Sequence, residues 1–333
     1  MIYKVLKEDE VTCLKKDLKE QLPGTAKIYY LVRNLLKGLI PGLEIIVDKW
    51  PDWTCIVIRP RSQDEVPKYF RHSYICHAKN VSPLKYFIQR PGIIDWSKPA
   101  TFTGVPPDLA PLLTDMSRKH LGKLSSKEVR LMYAWNKKEP PEQPVVPEGL
   151  HLGKLRPEHA AVLRQDWEDS RGREDLEGYF TSVIENFDSS CLSDDKGELL
   201  AYTCMQYNGS IAMIYVRPEH RDKDYYKIIF NDLTRKLLMK GYIVYGFIPS
   251  HDTSLVTMLR ELGFEWVPTG DILWVHYEPV KINHGSRTNT EFESQTVEHS
   301  YRQECETHKM GTTVKFIGIN AIPLAIQKSN WKL

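Results

Sequence analysis

The chain has 333 residues, enough for about two domains at roughly 150 residues each, and a chain of that length can bury about three-quarters of its unfolded surface without disulfides or metal. Its 45 Lys and Arg against 43 Asp and Glu leave a net charge of +2, which argues against a dedicated nucleic-acid binder but allows a local basic patch. No apolar run approaches the roughly 20 residues that a spanning helix needs, and the longest candidates, such as Thr54-Cys55-Ile56-Val57-Ile58, are strand-sized.

Residues 1–20 mix lysines with acids and lack an apolar stretch, so no secretory leader is expected. That predicts an intracellular, reducing compartment, with Asn80-Val81-Ser82 and Asn208-Gly209-Ser210 silent as glycosylation sites. The six cysteines, at 13, 55, 76, 191, 204 and 305, form no CxxC pair. His72-x3-Cys76-His77 and Cys305-x2-His308 fall short of four convergent ligands, so no metal is expected.

Residues 44–48 and 54–59 are short β-branched runs that predict two strands. Between them, Asp48, Lys49 and Asp52 fix a turn. Trp50, Trp53 and Trp96 are expected to pack in the core or between domains. A third strand is predicted at 74–78, then helices at 107–116 and 125–135, the second with Ser126 as N-cap. Four prolines in Glu139 to Gly149 forbid a helix and predict a stiff linker. It divides an N-terminal mixed α/β domain (1–138) from a second domain (150–280).

The second half alternates more sharply. Helices are predicted at 157–170 and 175–187, then strands at 190–192, 199–206 and 211–216 joined by Asp194-Asp195-Lys196-Gly197 and Asn208-Gly209 turns. Tyr226, Ile229, Phe230, Leu233 and Leu237 recur at helical spacing up to Gly241. A strand at 242–248 would place Tyr242 and Tyr245 on opposite faces. A helix at 252–262 stopped by Gly263 and a strand at 272–277 complete the pattern: helix, helix, three-strand meander, helix, strand, helix, strand. Residues 281–333 form a polar tail, nearly devoid of apolar residues from 285 to 313 and therefore expected to be disordered, with an apolar end at 314–326.

One junction carries chemistry: Tyr215-Val216-Arg217-Pro218-Glu219-His220-Arg221-Asp222-Lys223-Asp224-Tyr225-Tyr226, a strand feeding a loop and a helix. First-turn amides lack helical partners and the helix dipole favours anions there. With Arg217, His220, Arg221 and Lys223 alongside, the junction is a candidate pyrophosphate cradle.

The order of elements and this loop resemble the acyltransferase domain of the GNAT superfamily. Val47-Asp48-Lys49-Trp50-Pro51-Asp52, Ile94-Asp95-Trp96, Trp167 with Ser170-Arg171-Gly172, and Arg217 to Arg221 are more specifically similar to the glycine N-acyltransferase family. The resemblance implies a two-domain α/β enzyme that moves an acyl group from acyl-CoA, its co-substrate, to glycine or a similar amino acid. It further implies no tightly bound cofactor, no metal, no nucleic acid, a monomer, and a mitochondrial or cytoplasmic location. It implies that Val216, Arg217, Arg221, Asp222, Lys223, Asp224, Tyr225, Tyr226 and Asp252 hold coenzyme A; Ser210, near the family's base position, and Glu219 and His220, the nearest surviving titratable groups, are the candidate catalytic residues. The strands at 211–216 and 242–248 would splay around the thioester. This sequence departs from the family pattern where Asp224 and Tyr226 replace small loop residues, where Ser210 falls near the glutamate base, and where Asp252 and Leu259 stand for an asparagine and a tyrosine. Those departures motivate an alternative, an acyl-CoA-binding or interaction protein that keeps the fold with impaired turnover.

Overall fold

The computed structural model describes residues 3–62, 65–166 and 174–280, with backbone alone for 125–128. Trp167, Ser170, Arg171, Gly172, the metal-ligand candidates Cys305 and His308, and the tail lie outside the described residues.

The N-terminal half runs β1 (Lys4–Val5), α1 (Glu8–Lys19), α2 (Ala26–Leu36), β2 (Leu43–Val47), β3 (Cys55–Pro60), β4 (Ser73–Ala78), α3 (Val81–Ile88), β5 (Ala100–Val105), α4 (Ala110–Lys119) and β6 (Gly122–Trp135). After residues 136–149, which carry no regular element, come β7 (Leu150–Gly153), α5 (Ala160–Asp166), α6 (Leu176–Asn186), β8 (Ser189–Asp194), β9 (Leu199–Met205), β10 (Ile211–Val216), α7 (Tyr225–Met239), β11 (Tyr245–Pro249), α8 (Thr253–Leu262), β12 (Phe264–Trp266) and β13 (Ile272–Pro279). The strands join in the order β1-β2-β3-β4-β5-β13-β6-β11-β10-β9-β8-β7, with β12 also on β6. Pairing is antiparallel except at β4–β5 and β10–β11. The last strand thus inserts between two strands of the N-terminal half, and β6 in turn pairs with β11.

Local chemistry explains the element ends. Asp48 closes the β2–β3 turn by accepting from the Thr54 and Cys55 amides at 2.8 and 2.9 Å, and from the Thr54 hydroxyl. Burial works to raise its pKa, yet these hydrogen bonds outweigh it and hold the carboxyl below its usual value. Asp175 caps α6 through the Gly178 amide and Asp252 caps α8 through the Leu255 amide, while Gly263, at φ 102°, provides the left-handed stop. On α7, Ile229, Phe230, Leu233 and Leu237 are buried, each contributing about 1.5–3 kcal/mol.

Three expectations need correction. The 125–135 helix is a strand, because β6 is paired with β13 along its first part and with β11 and β12 along its second; two-sided pairing overrides local helical spacing. Tyr242 and Tyr245 do not face opposite sides. Tyr242 precedes β11, and both rings stack on Tyr30 of α2, at 5.3 and 6.2 Å between centroids. Of the three tryptophans, Trp53 and Trp96 are buried but Trp50 is half-exposed. The predicted strands at 44–48, 54–59 and 74–78, the meander, and the helices on either side of β11 are present, whereas α1, α2, α3, β5 and β7 carried no clear signal.

Candidate functional site

A break in β10 organises the site. Ala212 stands opposite Cys204 and Tyr215 opposite Tyr202, so Met213 and Ile214 together face the single residue Thr203. That is a β-bulge, and Met213 takes φ 56° to make it. On its other edge β10 meets β11 only at Ile211↔Gly246. Beyond that point the two parallel strands part, leaving the bulge with no register partner on β11. A gap between parallel strands, flanked by backbone amides, can receive an extended chain and hydrogen-bond a carbonyl within it.

The open end of the gap leads into the 217–224 loop. A 3-10 turn over Pro218–His220 precedes α7, and Asp224 enters the helix at φ 52°, ψ 19°. Asp is among the few residues that tolerate the left-handed region, so Asp224 supplies the backbone shape that a small residue would otherwise give. Its carboxylate is exposed and paired with Lys227 at 3.2 Å. Tyr226 is only 4% exposed, which places its ring in the packed face of α7 instead of out in solvent. Arg217 sits between Glu198 at 3.1 Å and Glu219 at 3.9 Å, and Arg221 donates to the Val216 carbonyl at 3.4 Å. Asp222 and Lys223 are exposed, and Tyr225 is buried with its ring 5.6 Å from His220.

The closed end is built around Asn208. Its Oδ1 accepts from the Ser210 amide at 3.0 Å and lies 2.7 Å from the Ser210 hydroxyl. Its carbonyl accepts from the Tyr245 hydroxyl, whose pKa burial pushes well up. Gly209, at φ 84°, lies against Tyr30, where a Cβ would come within 2.5 Å of the ring. Beside this turn is a small cavity of about 40 Å³, lined by Lys27, Gln206, Asn208 and Trp274 among others. A larger cavity, about 840 Å³, lies elsewhere, among Arg59, Tyr74, Arg90, Trp96 and Lys119, and shares no residue with the β10–α7 junction.

The structure therefore brings Val216, Arg217, Arg221, Asp222, Lys223, Asp224, Tyr225 and Tyr226 to one junction, with Glu219 and His220 in the same loop. Ser210 stands at the other end of β10, buried and bonded to Asn208. Asp252 caps α8 just beyond β11. Residue reading missed the bulge at Met213 and Ile214 and the lysine at position 27. The bulge has no side-chain signature, and Lys27 occupies one position in an otherwise ordinary amphipathic helix. Among the described residues no cluster of His, Cys, Asp and Glu could hold a metal, and no helix is long and apolar enough to cross a membrane.

Residues 2–188 match the family model for aralkyl acyl-CoA:amino acid N-acyltransferases. The chain belongs to that family. Residues 191–275 match a second model, for FR47-like proteins. A rat glycine N-acyltransferase-like protein, Keg1, is 22% identical over 80% of this chain and 100% of its own length. Bovine glycine N-acyltransferase is 23% identical over 78% of this chain and 94% of its own. A Drosophila protein solved as a structural-genomics target superposes with a TM-score of 0.68 at 15% identity, over 84% of this chain and 98% of that one, which shows a shared fold. This member of the aralkyl acyl-CoA:amino acid N-acyltransferase family is thus an N-acyltransferase of mixed α/β architecture, FR47-like in its C-terminal half. The binding-only alternative finds no support in these relatives.

Proposed function

We propose that the protein transfers the acyl group of an acyl-CoA to the amine of glycine, with other small amino acids as secondary acceptors. The observation that carries this reading is the continuous path from the bulge at Met213 and Ile214, along the β10–β11 gap, to the basic loop and the first turn of α7. The diphosphate of coenzyme A takes the Asp222, Asp224, Tyr225 and Tyr226 amides, the Lys223 amide being bonded to the His220 carbonyl, with the Arg221 and Lys223 side chains beside it. The thioester then lies along β10, its carbonyl toward the bulge amides.

The neutral amine nitrogen attacks the thioester carbon, and the bulge amides hold the oxyanion that develops. The carbon–sulfur bond breaks, the thiolate leaves and is protonated, and the amine gives up its proton as the amide forms. No covalent acyl-enzyme is required. Glu219 is held at the loop surface by Arg217, and His220 packs against Tyr225, so both serve the loop. Ser210 is committed to Asn208. The acceptor's own unprotonated fraction is accordingly the nucleophile, and the proton leaves to solvent.

Incubation of the full chain with benzoyl-CoA or a long-chain acyl-CoA, with and without glycine, tests the reading by thiol release. Glycine-dependent release with a matching amount of N-acylglycine is expected. Coenzyme A binding without glycine-dependent release would overturn it.

A further inference from the structure

The cavity beside Asn208 has a one-sided lining. Lys27, Gln206, Asn208 and Trp274, four residues with N–H donors, are among its lining residues, and no Asp or Glu is. Lys27 is 9% exposed and its Nζ donates to the Gly104 carbonyl, a neutral acceptor that does not offset its charge. Gly104 itself is at φ 86°, and a Cβ there would come within 2.8 Å of that ammonium, so the backbone is shaped to let the lysine in. The Trp274 indole nitrogen is buried without an acceptor. A buried ammonium and an orphaned indole N–H are both costly until an anion with two acceptor atoms arrives.

Location fixes which anion. Asn208 is bonded to Ser210, the residue before β10, and to Tyr245, the first residue of β11. The cavity therefore adjoins the closed end of the acyl gap, where Ile211 pairs with Gly246. Its volume of about 40 Å³ exceeds the roughly 10–15 Å³ that one water requires, but leaves no room for a bulky side chain. Phe70 and Ile272 supply apolar wall, which strengthens a charge-assisted hydrogen bond made inside.

We propose that this cavity is the carboxylate subsite of the acceptor, with Lys27, Gln206, Asn208 and Trp274 gripping the α-carboxylate of a small amino acid. The proposal rests on the transfer reading above, and it names the recognition element within it. Lys27 binds and orients the acceptor and takes no part in the bond exchange.

Steady-state kinetics of the full chain with benzoyl-CoA, comparing glycine with glycinamide, tests it. The wild-type protein should favour glycine over glycinamide at least tenfold. Lys27→Met should lower kcat/KM for glycine by about 10- to 100-fold, as expected for hydrogen bonds to a charged group. The loss should fall mainly on KM, with the KM for benzoyl-CoA and the turnover of glycinamide unchanged. Trp274→Phe, which keeps the ring, should raise the glycine KM several-fold with the same selectivity. Equal losses for both acceptors, unchanged glycine kinetics in either folded variant, or a wild-type protein indifferent to the carboxylate would each overturn the subsite. Calorimetric titration of glycine into the coenzyme A-bound protein separates the two readings: Lys27-dependent binding without transfer would sink the reaction and keep the subsite, whereas transfer with Lys27-independent binding would do the reverse.

Discussion

Replacing Lys27 with methionine should change stability in a way that depends on pH. Burial lowers the Lys27 pKa from 10.5 to about 8, and no carboxylate opposes that effect. Between those values the unfolded chain holds a proton that the folded chain has released, so the wild-type fold gains stability as pH rises from about 8 to 10.5. At about 1.4 kcal/mol per pH unit, the gap amounts to about 3 kcal/mol, all of it a penalty on the fold at pH 7. Methionine keeps the length and apolar stem and titrates nowhere. It also forfeits the hydrogen bond to the Gly104 carbonyl, worth about 1 kcal/mol. Lys27→Met should therefore be about 2 kcal/mol more stable than wild type at pH 7 and about 1 kcal/mol less stable at pH 10.5. Urea unfolding of both proteins at pH 7, 9 and 10.5 measures this, and other titrations cancel in the difference. A stability difference that stays constant across the range would refute both the buried-ammonium argument and the reason for placing an anion beside it.

Four further outcomes follow from the same geometry. Arg221→Glu should weaken coenzyme A binding by about 1–3 kcal/mol, read by calorimetry, with the melting temperature nearly unchanged because the side chain is only half-buried; an unchanged dissociation constant would remove the loop from the site. Gly209→Ala should cost about 1–3 kcal/mol in urea unfolding, since it pairs a left-handed φ of 84° with a collision against Tyr30. Met213→Gly should leave stability unchanged or raise it by about 1 kcal/mol, because the residue already pays for φ 56°, whereas a clear loss would mean the bulge is held by the Met213 side chain. The pH profile of kcat/KM for glycine should rise as the free amine deprotonates and level off above about 8, where Lys27 discharges in the free enzyme and offsets the gain in free amine. In Lys27→Met the rise should continue through pH 8 without the break.

The outline of the C-terminal half could be read from the chain because its signals are local. Asn208-Gly209 turns the β9–β10 hairpin, Asp252 and Gly263 bracket α8, and the apolar positions of α7 recur at the helical period. The 125–135 segment misled for the opposite reason. Leu131, Met132, Tyr133 and Ala134 are consecutive on a strand paired on both edges, and a run apolar on both faces carries no period that separates strand from helix. The loop at 217–226 was recognisable by its charges, but the roles within it were not. Asp224 looks like a repulsive intruder until its backbone is seen in the left-handed region with its carboxylate on Lys227.

The acceptor side shows why sequence stops short of a site. Ser210 falls near the glutamate base that the family resemblance implies, and the serine by itself suggests a missing base and a crippled enzyme. In the folded protein the turn before β10 borders, through Asn208, a cavity that Lys27 also lines; that lysine comes from a helix nearly two hundred residues earlier in the chain, where α2 packs Tyr30 onto Gly209, Tyr242 and Tyr245. A positively charged pocket that fixes the carboxylate leaves the amine to lose its proton to water, and this arrangement needs less from a base than one in which the acceptor is loosely held. Orientation substitutes for proton abstraction to that extent, since holding the amine against the thioester can lower the barrier by several kcal/mol without any titrating partner. The serine and the lysine then meet through Asn208, and introducing Ser210→Glu should break the Ser210–Asn208 bond at the cavity's edge, weakening glycine binding even as it supplies a base. A Ser210→Glu variant with a higher kcat but also a higher KM for glycine is the expected signature; a higher kcat with KM unchanged would show that the two positions act independently.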